Sequence, residues 1–285
     1  MQIFKRKINL LSVRRIISRY CRDGIAARDL LRMVAKIKGL SREEVTFNLE
    51  NVHLDKAEET LFFDMLNRYK KNEPLSKILN EKSFWNHDFF VNSNVLDPRP
   101  ETELIIETIL SRFQRLSVLN FLDIGTGSGC ILLSLLCEYK NSRGVGIDIS
   151  ADAIEVARYN QKKIGIITVN FSATDWSEFE NEEQFDVVVS NPPYVSTGDI
   201  PQLDENVRNY DPPIALDGGH AGLDAYTSIT PLLKKWLRPH GLVFFEIGYG
   251  QTTDVVRILQ SNGFQVDEIR KDLSGIDRII AAQKS

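Results

Sequence analysis

From about residue 100 onward, short apolar runs alternate with longer stretches of helical periodicity, and few folds accommodate that rhythm. The runs are 118–124 (VLNFLDI), 143–149 (RGVGIDI), 167–172, 185–190 (FDVVVS), 241–247 (GLVFFEI), 263–269 and 277–283. Helical stretches over 102–114, 128–139, 151–163, 225–237 and 251–262 separate most of them. Repeated strand–helix–strand units build a mostly parallel sheet with helices on both faces and right-handed crossovers. The expectation over 101–285 is therefore an α/β domain with a mostly parallel seven-stranded sheet.

The first third of the chain lacks this rhythm. Over 10–70 the pattern is helical: Leu30, Leu31, Val34, Ile37 and Leu40 keep one apolar face, and Ser41 with Glu44 fits a capping box opening the next helix. We expect a small helical domain over 1–72. In 73–100, Phe84, Trp85, Phe89, Phe90 and Val91 predict a short hairpin, and Pro98 and Pro100 stiffen the segment beyond it. That stretch reads as a hairpin and linker.

Charge divides the same way. Residues 1–80 carry 17 Lys and Arg against 10 Asp and Glu, whereas 81–285 carry 18 against 29. No acid precedes Asp23, while Lys5, Arg6, Lys7, Arg14, Arg15, Arg19 and Arg22 are basic. Such a run makes a solvated helix face, a docking surface for an acidic partner such as a protein held near RNA, or an organellar transit peptide. No apolar run approaches the roughly 20 residues that span a bilayer, so no membrane association is expected. No segment has the form of a secretory signal. Cys21, Cys130 and Cys137 form an odd, sparse set without a CxxC, which fits reduced thiols in a cytoplasmic protein. His53, His87, His220 and His240 fall in no metal-ligand spacing, and no metal is expected.

The turn after the first apolar run reads Asp123-Ile124-Gly125-Thr126-Gly127-Ser128-Gly129. Glycines there let the backbone turn sharply and let a ligand approach the main chain. The spacing G-x-G-x-G is neither the dinucleotide fingerprint nor a P-loop. The next run ends on Asp148, placed to accept hydrogen bonds from ribose hydroxyls, and Ser150 caps the helix beyond it. The third run leads to Asp175-Trp176, an acid and an aromatic that can hold and cover an adenine. In this order, at successive strand ends, the residues resemble the class I S-adenosylmethionine methyltransferases, a Rossmann-like fold whose cofactor is S-adenosyl-L-methionine.

The fourth run leads straight into Asn191-Pro192-Pro193-Tyr194. Two prolines hold the backbone extended and donate no hydrogen bonds, leaving carbonyls to accept, and Asn191 adds a side-chain carbonyl. Two acceptors converging on one NH₂ would turn its lone pair toward an electrophilic methyl group. Tyr194 offers a flat face to a planar amide or base. The residues thus indicate an amide or amino acceptor without choosing between them.

Over nearly its whole length the chain is similar to the HemK/PrmC family, the N5-glutamine methyltransferases of peptide chain release factors. The resemblance rests on Glu73-Pro74-Leu75, Phe84-Trp85, Asp97-Pro98-Arg99-Pro100-Glu101-Thr102-Glu103, Asp123 to Gly129, Asp148, Asp175-Trp176 and Asn191 to Val195. Further along it takes in Ala215 to Gly219, Gly222-Leu223, Glu246-Ile247-Gly248 and Asp272 to Gly275. Arg99-Pro100-x-Thr102-Glu103 beside a helical N-terminal domain is its specific part, since N6-adenine DNA methyltransferases share Asn-Pro-Pro-Tyr. It implies methylation of the glutamine in the Gly-Gly-Gln motif of class 1 release factors, with the N-terminal domain helping to dock that protein. It also implies that Gly125 to Gly129, Asp148, Trp176 and Asn191 bind the cofactor, with Asp175 beside them. Asn191, Pro192, Pro193 and Tyr194 would hold the glutamine, and Asn191, Pro192 and Tyr194 would act in transfer. Arg99 and Glu103 would line or brace the same cleft. Ser76-Lys77 and Asp211-Pro212 depart from the family pattern, which favours an apolar pair and Glu-Pro. A DNA adenine methyltransferase would need a target-recognition domain and a basic cleft, for which the chain has no spare segment. A ribosomal-protein glutamine as the acceptor, or a cofactor-binding scaffold without turnover, stays open at this point. A monomer without sequence-specific nucleic-acid binding is expected.

Overall fold

The computed structural model describes residues 11–284. The chain divides into two compact units between Leu79 and Asn80.

The first unit is helical. A short antiparallel pair, β1 (Leu11–Ser12) and β2 (His53–Leu54), brackets α1 (Val13–Arg22), α2 (Ala27–Lys38) and α3 (Arg42–Phe47), and α4 (Lys56–Tyr69) and α5 (Leu75–Leu79) come after. The capping box expected at Ser41 is present, with the Glu44 N–H donating to Ser41 Oγ and Glu44 returning to the Ser41 N–H. Asp55 and Glu58 form a second one at the start of α4. Val13, Ile16, Leu30, Met33, Val34, Val45, Phe62 and Leu66 pack the core. Burying Val13, Ile16 and Tyr20 turns Arg14, Arg15, Arg19 and Arg22 of α1 to solvent as one basic face. Lys5, Arg6 and Lys7 lie outside the described residues. Ser76 and Lys77 are both buried on α5.

The second unit opens with the hairpin β3 (Lys82–Phe84) and β4 (His87–Phe89). A 3₁₀ turn at Pro100–Thr102 leads into α6 (Glu103–Arg112). Then come β5 (Asn120–Ile124), α7 (Cys130–Glu138), β6 (Arg143–Asp148), α8 (Ala151–Ile164), β7 (Val169–Ala173) and β8 (Phe185–Ser190). The chain continues through the short α9 (Glu205–Arg208), α10 (Asp224–Trp236), β9 (Leu237–Glu246), α11 (Thr252–Ser261), β10 (Phe264–Lys271) and β11 (Asp277–Lys284). The sheet order is β10-β11-β9-β8-β5-β6-β7. Strands β5 to β9 pair in parallel and β11 is antiparallel to both its neighbours, so the sheet is the mostly parallel seven-stranded one that the sequence predicts. Strand β9 begins four residues before the expected 241.

Side-chain alternation decides which helices cover which face. Phe121, Val187, Val189 and Phe244 pack with α6, α7 and α8. Leu122, Val188, Val243 and Phe245 pack with α10 and α11 on the other face. From β5 the chain runs outward to β6 and β7, then returns to place β8 on the other side of β5. The carboxyl ends of β5, β6 and β8 therefore meet at the point where open α/β sheets bind ligands.

Candidate active site

The glycine turn after β5 folds back on the end of β6. The N–H groups of Gly125 and Thr126 both donate to the Ile147 carbonyl at 2.9 Å, and Gly129 N–H closes on Thr126 O at 2.8 Å. Gly125, Gly127 and Gly129 have φ of +70°, +53° and +77°, the left-handed region that disfavours other residues. A Cβ on Gly125 or Gly127 would meet no atom within 4 Å, and both residues line the cleft. A Cβ on Gly129 would press on Phe171, Leu133 and Ala157 at 3.1–3.3 Å, so Gly129 lets α7 pack close to the sheet and does not line the cleft. The first two glycines thus form the cradle of bare backbone that a nucleoside-bearing cofactor requires.

Acids hold this cradle. Asp148 Oδ2 accepts from Gly127 N–H and its Oδ1 from Ser150 N–H, each at 2.9 Å. Burial raises the Asp148 pKa, and these bonds oppose the rise. Asp123 is fully buried beneath the turn and accepts from Thr126 Oγ1 at 2.6 Å, and burial pushes its carboxyl up to about 7. Asp175 Oδ1 is occupied by the N–H and hydroxyl of Ser177, and Trp176 is half-buried against the core beneath α10. Gly125, Thr126, Gly127, Ser128, Asp148, Asp175, Trp176 and Asn191 line one cleft, together with Arg99, Thr102 and Pro193. These residues fit S-adenosylmethionine: bare backbone for the close approach, an acid at the end of β6 with lone pairs to spare, and an aromatic wall.

Asn191 follows the last residue of β8. Its Nδ2 donates to Thr102 Oγ1 at 3.2 Å, and Thr102 Oγ1 donates to Glu246 Oε2 at 2.6 Å. With Nδ2 committed, the carbonyl oxygen is the end of this cleft-lining side chain left to accept a hydrogen bond. Pro192 is buried behind it. Tyr194 does not line the cofactor cleft: its ring packs on the α10–α11 side of the sheet and its hydroxyl lies 3.4 Å from Glu246 Oε1. Burial foremost, then the Glu246 charge, raises the Tyr194 pKa. The Tyr194 carbonyl accepts from Gln251 Nε2 at 2.9 Å, so it is not among the free acceptors.

Arg99 lines the cleft, and its guanidinium is held by Asp211 at 2.7 Å. The other Asp211 oxygen accepts from Asp97 N–H at 3.1 Å. The aspartate that departs from the family pattern therefore spans both partners. Glu103 does not line the cleft: its Oε1 accepts from Trp85 N–H at 2.7 Å, bracing α6 against the hairpin. Sequence reasoning gave no site role to Thr102, Asp123, Glu246, Gln251 or Asp211. Asp123 and Glu246 had a signal, since Asp123 is an acid inside the buried run of β5 and Glu246 an acid closing the apolar run 242–245.

Residues 116–235 match a family model described as a methyltransferase domain. The chain is 38% identical to the release factor glutamine methyltransferase of Caulobacter vibrioides, over 92% of this chain and 90% of that protein. It is 37% identical to a bifunctional methyltransferase of Rickettsia felis, over 90% of this chain and 53% of that longer protein. Among solved structures, a methyltransferase from Pyrococcus furiosus superposes with a TM-score of 0.54 at 18% identity, over 78% of this chain and 98% of that one, which shows the shared fold. The chain carries an S-adenosylmethionine-dependent methyltransferase domain, and with relatives this similar along nearly all of its length it belongs to the release factor glutamine methyltransferase family.

Proposed function

We propose that this protein transfers a methyl group from S-adenosylmethionine to the side-chain amide nitrogen, N5, of the glutamine in the Gly-Gly-Gln motif of class 1 peptide chain release factors. The observation that carries the reading is the Asn191 carboxamide, which lines the same cleft as the glycine cradle and whose Nδ2 is held by Thr102, leaving its carbonyl oxygen as the free acceptor. Gly125, Thr126, Gly127, Ser128, Asp148, Asp175 and Trp176 hold the cofactor, which when bound supplies the methyl group already activated as a sulfonium.

An amide nitrogen is a weak nucleophile because its lone pair is delocalised into the carbonyl. Asn191 Oδ1 accepts one of its protons and a main-chain carbonyl of the Pro192-Pro193 pair accepts the other. Both bonds strengthen as the nitrogen pyramidalises, so they favour the transition state over the ground state. Positioning supplies most of the remaining acceleration. Arg99, clamped by Asp211, shapes the wall beside Asn191. Tyr194 supports the far end of the tetrapeptide, and Gly129 and Glu103 act as packing and bracing residues.

The basic face of α1 suits docking of an acidic protein surface, and the acidic balance of 81–285 disfavours a duplex DNA substrate. All three cysteines are free, with Cys21 exposed, in keeping with the reduced thiols of a cytoplasmic protein.

The test is transfer of labelled methyl from S-adenosylmethionine to a purified class 1 release factor. A release factor with the Gly-Gly-Gln glutamine replaced serves as control. Label confined to the intact motif supports the reading, and label that persists in the control sinks it. Asn191→Ala should abolish transfer while cofactor binding is largely kept.

A further inference from the structure

We propose that Glu246 is a positioning residue for methyl transfer: acting through Thr102 it fixes the Asn191 carboxamide with its carbonyl toward the substrate, and it holds Tyr194 at the other end of the same tetrapeptide. The proposal rests on the reading that Asn191 holds the acceptor amide.

One buried carboxylate straddles Asn191–Tyr194. Its Oε2 accepts from Thr102 Oγ1 at 2.6 Å, and its Oε1 lies 3.4 Å from the Tyr194 hydroxyl. Thr102 and Glu246 are each 2% exposed, so bulk water does not compete for either group. A threonine hydroxyl has one proton. Given to Glu246, that proton leaves Thr102 Oγ1 only lone pairs for Asn191, which must then present Nδ2. The carboxamide cannot flip without putting its oxygen against the oxygen of Thr102. Glu246 thus determines which end of Asn191 a bound amide meets, without touching that amide. Its own place is set by the Tyr226 hydroxyl, which donates to the Glu246 main-chain carbonyl at 2.7 Å.

The relay works only with Glu246 ionised. Burial pushes its carboxyl up to about 7, with Glu101 acting in the same sense, against the Thr102 hydroxyl, the Arg278 guanidinium and the Tyr194 hydroxyl. Tyr226 and Cys130 face the same charge as neutral groups whose own pKa it raises. Protonated, Glu246 can itself donate to Thr102. The Thr102 proton then turns to Asn191, whose amide flips and presents NH₂ to the NH₂ of the substrate, donor against donor. Transfer should therefore rise with pH as Glu246 ionises.

The experiment measures kcat and KM across the pH range at saturating cofactor, with intact release factor as acceptor, for wild type, Thr102→Val, Thr102→Ser and Glu246→Gln. Thr102→Val, which keeps shape and loses the hydroxyl, should lower kcat by roughly ten- to a hundredfold, with KM and cofactor Kd within about twofold. Thr102→Ser should recover most of that rate. Glu246→Gln should lose the acid limb of the kcat profile, because no ionisation remains to couple. A Thr102→Val rate within about twofold of wild type overturns the relay, and so does an acid limb that persists in Glu246→Gln. If Thr102→Val does not fold, the Glu246→Gln profile decides. Wild type that transfers nothing to the release factor overturns the proposed acceptor and this inference with it, whereas a working wild type with unaffected variants overturns the relay alone.

Discussion

The Asp148 carboxylate accepts the Gly127 N–H at 2.9 Å, joining the end of β6 to the glycine turn after β5. Each carboxylate oxygen has about two acceptor sites, so one backbone bond on each leaves capacity for a ribose diol. Asp148→Ala loosens the turn and, on the proposed cofactor reading, removes the acceptor for the ribose. We expect the cofactor Kd to rise by roughly ten- to a hundredfold, as hydrogen bonds to a charged group contribute about 1.5–3 kcal/mol. Calorimetric titration with S-adenosylhomocysteine checks this, and an unchanged Kd would remove Asp148 from the cofactor site.

Gly127 and Gly129 share a left-handed backbone and differ in what surrounds them. Alanine at Gly129 meets Phe171, Leu133 and Ala157 at 3.1–3.3 Å, in addition to the conformational penalty of about 1–2 kcal/mol. Alanine at Gly127 incurs that penalty and meets no atom within 4 Å, and on the proposed cofactor reading its methyl competes for the cleft that Gly127 lines. Gly129→Ala should therefore lower Tm more, and Gly127→Ala should weaken cofactor binding more. Melting curves and binding isotherms for the pair test the contrast, and the reverse order would contradict it.

The strands are legible in the sequence because β5, β8 and β9 are buried on both faces and read as continuous apolar runs. The early start of β9 is hidden by Pro239 and Gly241, which signal a break on their own, whereas pairing with β8 extends the strand through them by a register shift. The places of Asn191 and Asp148 at strand ends are legible because each polar residue ends a mostly apolar run. Glu103, expected to line or brace the cleft, is not among the lining residues, because proximity in sequence to Arg99 says nothing about direction. The 3₁₀ turn at Pro100–Thr102 separates the two, sending Glu103 to Trp85 and Arg99 to the cleft. Tyr194 reads as a flat platform for the substrate, but its ring direction depends on a buried partner far away in the chain, Glu246. Tertiary pairing of this kind leaves no local trace.

Asp211 holds Arg99 at 2.7 Å while its other oxygen receives the Asp97 N–H. The Asp211 side chain is only 1% exposed and that of Arg99 is 32% exposed, so the guanidinium keeps part of its hydration. Asp211→Asn keeps an acceptor for Asp97 but loses the charge. It should destabilise by about 1–3 kcal/mol, below the figure for a fully buried pair, and release Arg99 into the cleft. We expect kcat/KM to fall with a cofactor Kd close to wild type. Denaturant midpoints and steady-state kinetics check the two halves separately, and loss of cofactor binding alone would place Arg99 on the cofactor instead.

Asp123 and Glu246 predict how stability depends on pH. Both are fully buried, and burial raises each carboxyl to about 7. The folded state thus binds protons that the unfolded chain has released, and stability falls as pH rises. Their contribution is fully present below about pH 4 and is lost as pH climbs through about 7. The change is about 4 kcal/mol for Asp123 and about 3 kcal/mol for Glu246. Asp272 and Asp277, partly buried and held below the ordinary range chiefly by hydrogen bonds, act in the opposite sense at the acid end. The buried pair is isolated by comparing variants at two pH values rather than by the raw profile. Relative to wild type, Glu246→Gln should gain stability between pH 5 and pH 8, and Asp123→Asn should do the same, as read by urea denaturation. A difference from wild type that is equal at both pH values would mean that the carboxyl titrates in the ordinary range. For Glu246 the ionised form that orients Asn191 is then the less stable one, so activity should rise over the same interval in which the fold loses stability.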